Sequence, residues 1–247
     1  MNVTCFTDAA VQSQLHTAMS RHVSTDVSAV IAAKQEGPSI EAVVRRAHRY
    51  VGEVIVVAGR STDGTAEIAG RSGARVIEDG GRGKGEALRR AIPRIQTPIA
   101  VFLDADGSHD PEDIPLLVEP IQAGRADHVS ASRLRGGSSE LHGGFDEFLR
   151  LAGSSFITAC INARFACRLS DSQNGFRAIR TSVLRQLDLR EDTTTIEQEM
   201  IIKTLRGGWR MAEVPSHEHA RAHGVSHIRV WRSAPRYGYS LVKYLFL

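Results

Sequence analysis

Two aspartates, Asp104 and Asp106, follow a run of apolar residues with only Ala105 between them. Residues i and i+2 of an extended chain point to the same side, so both carboxylates can face one point. Two like charges held this close need a cation, or one of them takes up a proton. Mg²⁺ and Mn²⁺ prefer carboxylate oxygens and bridge to substrate phosphates, so the pair predicts a site for one of these ions. An acidic turn that caps the next helix through Ser108 or Asp110 is the alternative.

A cluster of glycines, GGRGKGEAL, stands at residues 80–88 before a helical pattern. It is not a P-loop, because Glu78 replaces the first glycine of that motif and Lys84 is followed by Gly85 rather than serine or threonine. No G-x-G-x-x-G follows the first predicted strand either. The main signals of P-loop kinases, ATPases and dehydrogenases are therefore missing. Lys84 is still placed to approach an anion from a turn, unless it is a solvated turn lysine.

The elements that must position these residues alternate between strand and helix through the first half of the chain. The patterns predict strands at 27–33, 53–59, 74–78, 99–106 and 127–133, and helices at 39–51, 61–73, 83–92 and 111–124. This alternation predicts an α/β fold with a Rossmann-like, doubly wound and mostly parallel sheet. Ligands of such sheets bind at the carboxyl ends of the strands, and the aspartate pair lies at one of those ends.

The second half of the chain is less regular. The patterns predict helices at 145–167, 195–208 and 228–247, and strands at 175–180 and 209–215. We expect one domain at 27–230, divided into halves at 27–135 and 136–230, with a flexible N-terminal extension at 1–26 and a C-terminal amphipathic tail at 231–247. Segment 145–167 is either core or a helix that dips into a bilayer. The tail docks on a membrane or on another subunit, and the second case gives a homodimer.

Composition bounds the class of protein. Of the 247 residues 42% are hydrophobic and 24% charged, which is ordinary for a globular protein. A net charge of +3 is too mild to indicate nucleic acid as a partner. The region from residue 201 onward carries eight basic and two acidic residues, so it is either a solvated basic face or a surface that attracts phosphates or an anionic membrane.

Three further features say less about function: the cysteines, the tryptophans and the N-terminal residues. The three cysteines show no metal-like pairing, which favours a reducing compartment, and Cys160 and Cys167 read as packing residues. Trp209 and Trp231 read as core or interface residues. We expect neither a signal peptide nor a spanning helix, and thus a soluble or peripheral protein.

Eight segments, taken in order, resemble family-2 glycosyltransferases of the GT-A fold, and most closely the polyprenyl-phosphate hexose synthases of the dolichol-phosphate mannose synthase type. They run from about Val27 to His227. The segments are AVIAAKQE (29–36), EVIVVAGRSTDGT (53–65), GRGKGEAL (81–88), DADGSHDPEDIPLL (104–117), SR (132–133), NGFRA (174–178), EQEM (197–200) and EVPSHEHARAHGVSH (213–227).

The resemblance implies an inverting transferase that takes a hexose from a GDP- or UDP-sugar, with Mg²⁺ or Mn²⁺ at Asp104 and Asp106. The implied acceptor is a polyprenyl phosphate, met at the cytoplasmic face of the membrane. The implied donor-binding residues are Ala33, Lys34, Glu36, Lys84, Asp104, Ala105 and Asp106. The residues implied to hold phosphate or acceptor are Arg133, Arg150, Ser154, Arg221, Ser226 and His227.

The acceptor is open between two chemistries. A lipid monophosphate has a second pKa of about 6, so it is ionised near neutral pH and attacks without a base. A hydroxyl acceptor, as in a soluble family-2 transferase, needs a general base, for which Asp106 and Glu199 are the available carboxylates. A protein that binds a sugar nucleotide or a lipid without catalysis is a third hypothesis.

Departures from the family pattern motivate that third hypothesis. Where the family has DDGSTDGT, this chain has Ala58, Gly59 and Arg60 before STDGT, so the aspartate that would contact base or ribose is missing. His227 stands in place of a lysine and is a weaker, pH-dependent cation. Four histidines near this position also raise the alternative of a zinc site, although no cysteine partner accompanies them. They are His217, His219, His223 and His227.

Overall fold

The computed structural model describes residues 5–6, 24–139, 145–221 and 230–246. Within these residues a single sheet of eight strands is flanked by helices. The strands are β1 Cys5–Phe6, β2 Ser24–Ala33, β3 Val51–Ala58, β4 Arg75–Glu78, β5 Ile99–Asp104, β6 His128–Ser132, β7 Arg177–Arg180 and β8 Met211–Pro215. Their order across the sheet is β1-β8-β6-β7-β5-β2-β3-β4.

The predicted mostly parallel sheet is confirmed. Strand β7 is antiparallel to its neighbours β5 and β6, and the other described strand pairs are parallel. Phe102 lies opposite Arg177, so the residues that precede β7 meet the end of β5. One edge of the sheet therefore gathers the carboxyl ends of the parallel strands and the segment that leads into β7.

Nine helices belong to the described residues: α1 Gly37–Ala47, α2 Thr65–Arg71, α3 Lys84–Ala91, α4 Ile114–Gln122, α5 Arg133–Gly136, α6 Phe145–Phe165, α7 Thr181–Gln186, α8 Ile196–Arg206 and α9 Val230–Phe246. Short 3-10 turns occur at Ile92–Arg94 and Pro111–Asp113. Helices α1 and α4 cover one face of the sheet, and α3, α7 and α8 cover the other.

Strand β2 shows why both faces are covered. Val30 and Ile31 are adjacent residues of this strand, and both are fully buried. They pack into the two cores on opposite faces of the sheet. A continuous apolar run is what a parallel strand buried on both faces requires. A third core joins α6, α8 and α9, and it contains Cys167 with Cys160 packed against it. The packing role predicted for these cysteines is thus confirmed.

The described elements differ from the predicted ones in four places. The segment predicted as an extension carries β1, whose Cys5 and Phe6 pair with Met211 and Ala212, and β2 already begins at Ser24. The first helix ends at Ala47, because Val51 opens β3. Helices α5 and α7 were not predicted, since each has only four to six residues and thus no measurable period. The remaining residues of 1–23 lie outside the described ranges, as does the side chain of Trp231. Trp209 packs against the core.

Candidate active site

A cleft of about 670 Å³ opens at the edge where the strands end, bounded on its far side by α6 and α9. Eleven of the residues predicted for the site line it: Ala33, Lys34, Glu36, Lys84, Asp104, Ala105, Asp106, Arg133, Arg150, Ser154 and Arg221. Ser226 and His227 lie outside the described residues. Residues separated by more than 180 positions thus meet in one cavity, as expected where the carboxyl ends of parallel strands share one edge of a sheet.

The aspartate pair stands at the end of β5, where each carboxylate has a cationic partner. Asp104 Oδ1 lies 2.5 Å from Lys84 Nζ, and Asp106 Oδ2 lies 2.9 Å from Arg221 Nη1. Asp106 Oδ1 also accepts hydrogen bonds from the backbone N–H and the hydroxyl of Ser108, at 3.0 and 2.6 Å. The capping alternative is true of Asp110, which accepts from the backbone N–H of Glu112 at the start of the 3-10 turn.

Lys84 is the cation at the centre of the site. Its Nζ lies between Asp104 and Glu197, 2.7 Å from Glu197 Oε1. Burial alone would lower the pKa of the ammonium, but the two carboxylates outweigh burial and raise it above its usual value. Burial likewise opposes ionisation of Asp104, yet Lys84 holds the pKa of that carboxyl well below its usual range. Both groups are therefore charged at neutral pH.

Gly175 makes the approach of Lys84 possible. A Cβ at this position would lie 2.5 Å from Lys84 Nζ and 3.3 Å from Asp104 Oδ2. Gly175 precedes β7 and faces the end of β5 because β7 runs antiparallel. The sequence contained this residue in NGFRA, but only the strand order reveals what the glycine leaves room for.

His109 is a site residue that the sequence did not single out. The backbone N–H of Asp104 donates to its Nδ1 at 3.0 Å, and its ring stacks on Phe176 with centroids 5.2 Å apart. Burial lowers the pKa of His109, so the ring is neutral and carries its proton on Nε2. His109 thereby fixes the backbone at the start of the aspartate pair.

Glu199, predicted as an available base, lies outside the cleft, so that prediction is wrong. Its carboxylate is fully buried, accepts hydrogen bonds from the backbone N–H groups of Arg190 and Glu191, and pairs with Lys203 at 2.8 Å. Glu197, two residues earlier on α8, lines the cleft instead. Residues two apart on a helix point in nearly opposite directions, so only one of the two acids can face the site.

Helix α6 provides the far wall of the cleft. Arg150 and Ser154 are one turn apart and both line the cavity, as their spacing predicted. Tyr237 on α9 stands across from them, and its hydroxyl donates to Thr194 at 2.6 Å. Burial raises the pKa of Tyr237 to about 12, so it stays protonated and acts as a hydrogen-bond donor.

Arg133 and Glu36 border the same cavity. Arg133 pairs with Asp171 at 2.9 Å and with Glu218 at 3.1 Å, so its charge is shared with two acids before any ligand binds. Burial raises the pKa of Glu36, and the nearby charge of Asp106 adds to that effect. Glu36 therefore adds a third carboxyl group near the aspartate pair, whose two carboxylates already have Lys84 and Arg221 as partners.

The donor set fits a hard divalent ion that completes its shell with other ligands. The aspartate pair supplies oxygens only, and among the described residues no group of three or more His, Cys, Asp or Glu could hold a metal. Mg²⁺ and Mn²⁺ are commonly bound by one or two carboxylates together with phosphate oxygens and water. A zinc site would need three or more His, Cys, Asp or Glu ligands, and the described residues contain no such group. Of the four histidines, His217 instead contacts the Ser139 hydroxyl at 2.7 Å. His223 and His227 lie outside the described residues.

Comparison with known proteins decides the class. Residues 28–188 match the family described as glycosyl transferase family 2. The chain belongs to this family. This family-2 glycosyltransferase is 31% identical over 172 residues to glycosyltransferase AglJ of Haloferax volcanii, covering 69% of the chain and 55% of that relative. It thus spans little more than half the length of AglJ.

A second relative matches over nearly its whole length. The glycosyltransferase is 30% identical over 228 residues to the dolichyl-phosphate hexose transferase of Haloferax volcanii, covering 91% of the chain and 96% of that protein. Its fold is similar to glucosyl-3-phosphoglycerate synthase from Mycobacterium tuberculosis, solved with Mn²⁺, UDP-glucose and phosphoglyceric acid. The TM-score is 0.71 and the identity 25%, covering 90% of this chain and 80% of the other. The GT-A fold is thereby confirmed.

Proposed function

We propose that this glycosyltransferase is a hexosyltransferase that moves a sugar, with inversion, from a nucleoside-diphosphate hexose to a polyprenyl phosphate. A relative that matches 96% of its own length is named a dolichyl-phosphate hexose transferase, and this name suggests the acceptor class. The observation that carries the proposal is the cleft itself. It has the paired aspartates and Lys84 on the strand side and Arg150 on the helix side.

On the donor side, Asp104 and Asp106 would hold Mg²⁺ or Mn²⁺. When bound, that ion neutralises the diphosphate that leaves the sugar. Lys84 keeps Asp104 ionised and fixed, and Arg221, which pairs with Asp106, would supply positive charge to a phosphate. The metal ion and these basic side chains would act by positioning and neutralising the donor diphosphate and the acceptor phosphate, not by covalent chemistry.

The two carboxylates predicted as general bases are poorly placed to serve a hydroxyl acceptor, which favours a phosphate acceptor: Asp106 is paired with Arg221, and Glu199 lies outside the cleft. Four acids that line the cleft are paired with cations: Asp104 and Glu197 with Lys84, Asp106 with Arg221, and Glu218 with Arg133. A carboxylate held by a cation is a weak proton acceptor. An ionised phosphate needs no such base, whereas a hydroxyl does.

The surface around the cleft is suited to a lipid. Helices α6 and α9 pack together and expose large apolar side chains, among them Phe156 at 66% and Phe246 at 71%. Phe156 also lines the cleft. We propose that this surface rests on the cytoplasmic face of a membrane, so that the lipid phosphate reaches Arg150 while its chain stays in the bilayer. No helix in the described residues is long and apolar enough to cross a membrane.

Transfer of a labelled hexose to polyprenyl phosphate, assayed with GDP- and UDP-sugars and Mn²⁺, tests the proposal. Arg150→Gln is expected to lower transfer about 10- to 100-fold, because a charge-assisted contact to phosphate is lost. Arg164→Gln on the same helix lies outside the cleft and is the matched control. Lipid product formed equally well by Arg150→Gln would contradict the assigned acceptor site.

A soluble phosphate-bearing acceptor is the second candidate. The structural neighbour was solved with phosphoglyceric acid, a small molecule that needs no membrane. Turnover of a donor with phosphoglyceric acid but not with polyprenyl phosphate would select this candidate. Binding to anionic vesicles that is unchanged in Phe156→Ser and Phe246→Ser would likewise count against the lipid surface.

A further inference from the structure

Asp79 directly follows β4 and lines the donor side of the cleft, although no sequence pattern pointed to it. Its Oδ1 accepts a hydrogen bond from the backbone N–H of Gly81 at 2.9 Å. In the part of the chain that the structure describes, no lysine or arginine forms an ion pair with it. This carboxylate therefore has an acceptor oxygen, Oδ2, to offer to a ligand.

The neighbouring strand end is shaped around this carboxylate. Gly59 follows β3 and also lines the cleft. A Cβ at Gly59 would lie 2.8 Å from Asp79 Oδ1 and 3.3 Å from Oδ2, closer than real side chains pack. The φ of Gly59 is not in the left-handed region, so the obstacle to a side chain there is the aspartate rather than the backbone. A side chain at Gly59 would displace the Asp79 carboxylate, so in this chain the point is occupied from β4 rather than from β3.

The strand order indicates which part of a donor would reach this point. The aspartate pair ends β5, and β2, β3 and β4 follow outward in that order. Strands are spaced by about 4.8 Å, so the end of β4 lies about 14 Å from the end of β5. Arg133 follows β6, which lies on the other side of β5. A nucleoside whose diphosphate lies at the aspartate pair therefore extends toward Gly59 and Asp79.

We propose, building on the proposed function, that Asp79 is the specificity-determining carboxylate of the nucleobase subsite. It takes the place of the aspartate that this chain lacks at Ala58 and Gly59. A carboxylate accepts hydrogen bonds only, so it selects bases with a ring N–H, namely uracil and guanine. Adenine presents a bare ring nitrogen at the corresponding edge, which repels a carboxylate.

The test is calorimetric titration of the full chain with UDP, GDP, ADP and pyrophosphate, each with Mn²⁺ present. Asp79→Asn keeps an oxygen for the Gly81 N–H but brings a donor to the base. It is expected to weaken binding of UDP or GDP about tenfold or more while leaving pyrophosphate unchanged. UDP and GDP are separate arms, and the one that binds tighter to the natural protein identifies the base.

A relocation experiment separates recognition from turn structure. Asp79→Ala is expected to lose nucleotide affinity, and the double variant Gly59→Asp with Asp79→Ala to regain it, because the carboxylate then arrives from β3. Unfolding temperatures without nucleotide report whether each variant folds. The inference would be overturned if Asp79→Asn bound UDP with the same affinity as the natural protein does, and likewise GDP. Absence of nucleotide binding to the natural protein would instead overturn the proposed function on which it rests.

Discussion

Among single residues, the ion pairs between basic side chains and carboxylates determine the geometry of the site. Lys84 is 17% exposed and serves two acids at once, Asp104 and Glu197. Removing one partner of a buried ion pair leaves uncompensated charge, which is costly even where the pair itself adds little stability. The effect of Lys84 should therefore be visible in folding as well as in binding.

Lys84→Met is expected to lower the free energy of unfolding at pH 7 by about 2 kcal/mol, less than for fully buried pairs because Asp104 is 30% exposed. Lys84 depresses the pKa of Asp104 in the folded state, so its contribution is present above the unfolded pKa of about 3.9 and lost as pH falls below it. Urea unfolding at pH 7 and pH 3.5 measures the difference, which should narrow in acid. Arg45→Met removes an exposed pair with Glu41 and should cost less than about 0.5 kcal/mol.

Arg221 competes with any cation for Asp106. Its guanidinium lies 2.9 Å from Asp106 Oδ2, whereas Oδ1 accepts two hydrogen bonds from Ser108. Arg221→Gln is expected to bind Mn²⁺ alone about threefold to tenfold more tightly, since one competitor for the carboxylate is gone. Sugar transfer by the same variant should fall, because the proposed phosphate partner is lost. Weaker Mn²⁺ binding in Arg221→Gln would contradict the competition.

At the scale of elements, the start of α3 places Lys84, and the loop before α8 holds that start in position. The backbone N–H of Glu86 donates to the carbonyl of Asp192, and Glu199 anchors the loop from the other side. Gly85 fits against the backbone of Glu191 and Asp192, where a Cβ would contact Glu191 O and lie 2.7 Å from Asp192 C. Backbone cannot move aside as a flexible side chain can.

Gly85→Ala should therefore destabilise the protein by about 2–3 kcal/mol through overpacking. Gly153→Ala is the matched change in an exposed part of α6, where nothing lies within 4 Å of the new methyl group. It should raise stability by about 0.5–1 kcal/mol, because alanine favours helix over glycine. Chemical denaturation of Gly85→Ala and Gly153→Ala measures both changes in the free energy of unfolding. Equal stabilities would show that the loop does not restrain α3.

The elements themselves could be predicted from the sequence more completely than the site. Alternation of buried strands and amphipathic helices is a local signal, so β2 to β8 and the long helices were found within a few residues. Which of Glu197 and Glu199 faces the cleft depends on how α8 is turned, which periodicity alone left open. Asp79 and Gly175 were missed because their roles arise from neighbours that the strand order supplies. His109 acts through a backbone contact that no motif encodes.

At the scale of the whole molecule, buried histidines link stability to pH. His128 in β6 is fully buried, and its Nδ1 lies 2.9 Å from the hydroxyl of Thr204. That hydroxyl donates to Met200 O, so His128 donates from Nδ1 and keeps Nε2 bare. Burial lowers the pKa of His128 well below its usual value, and the charge of Arg177 adds to this. His109 is shifted in the same direction by burial.

A histidine with a lowered folded pKa stabilises the protein above its unfolded pKa of about 6.5 and loses that contribution as pH falls. The free energy of unfolding should thus drop by about 1 kcal/mol per histidine between pH 6.5 and 5.5. His128→Gln should flatten this slope by about half. Denaturant titrations at pH 7.5, 6.5 and 5.5 measure it. A stability independent of pH over this range would contradict the neutral, buried state of both rings.

We propose that Asp104 and Asp106 hold a divalent cation together with a nucleoside diphosphate. Electron paramagnetic resonance of free Mn²⁺ tests it directly, by titrating the protein with and without UDP or GDP. We predict that nucleotide tightens Mn²⁺ binding about tenfold or more, and that Asp106→Asn abolishes this gain. Asp110→Asn, which lies outside the cleft, should keep it. Mn²⁺ affinity that does not change with nucleotide, or that is unchanged in Asp106→Asn, would contradict this metal site.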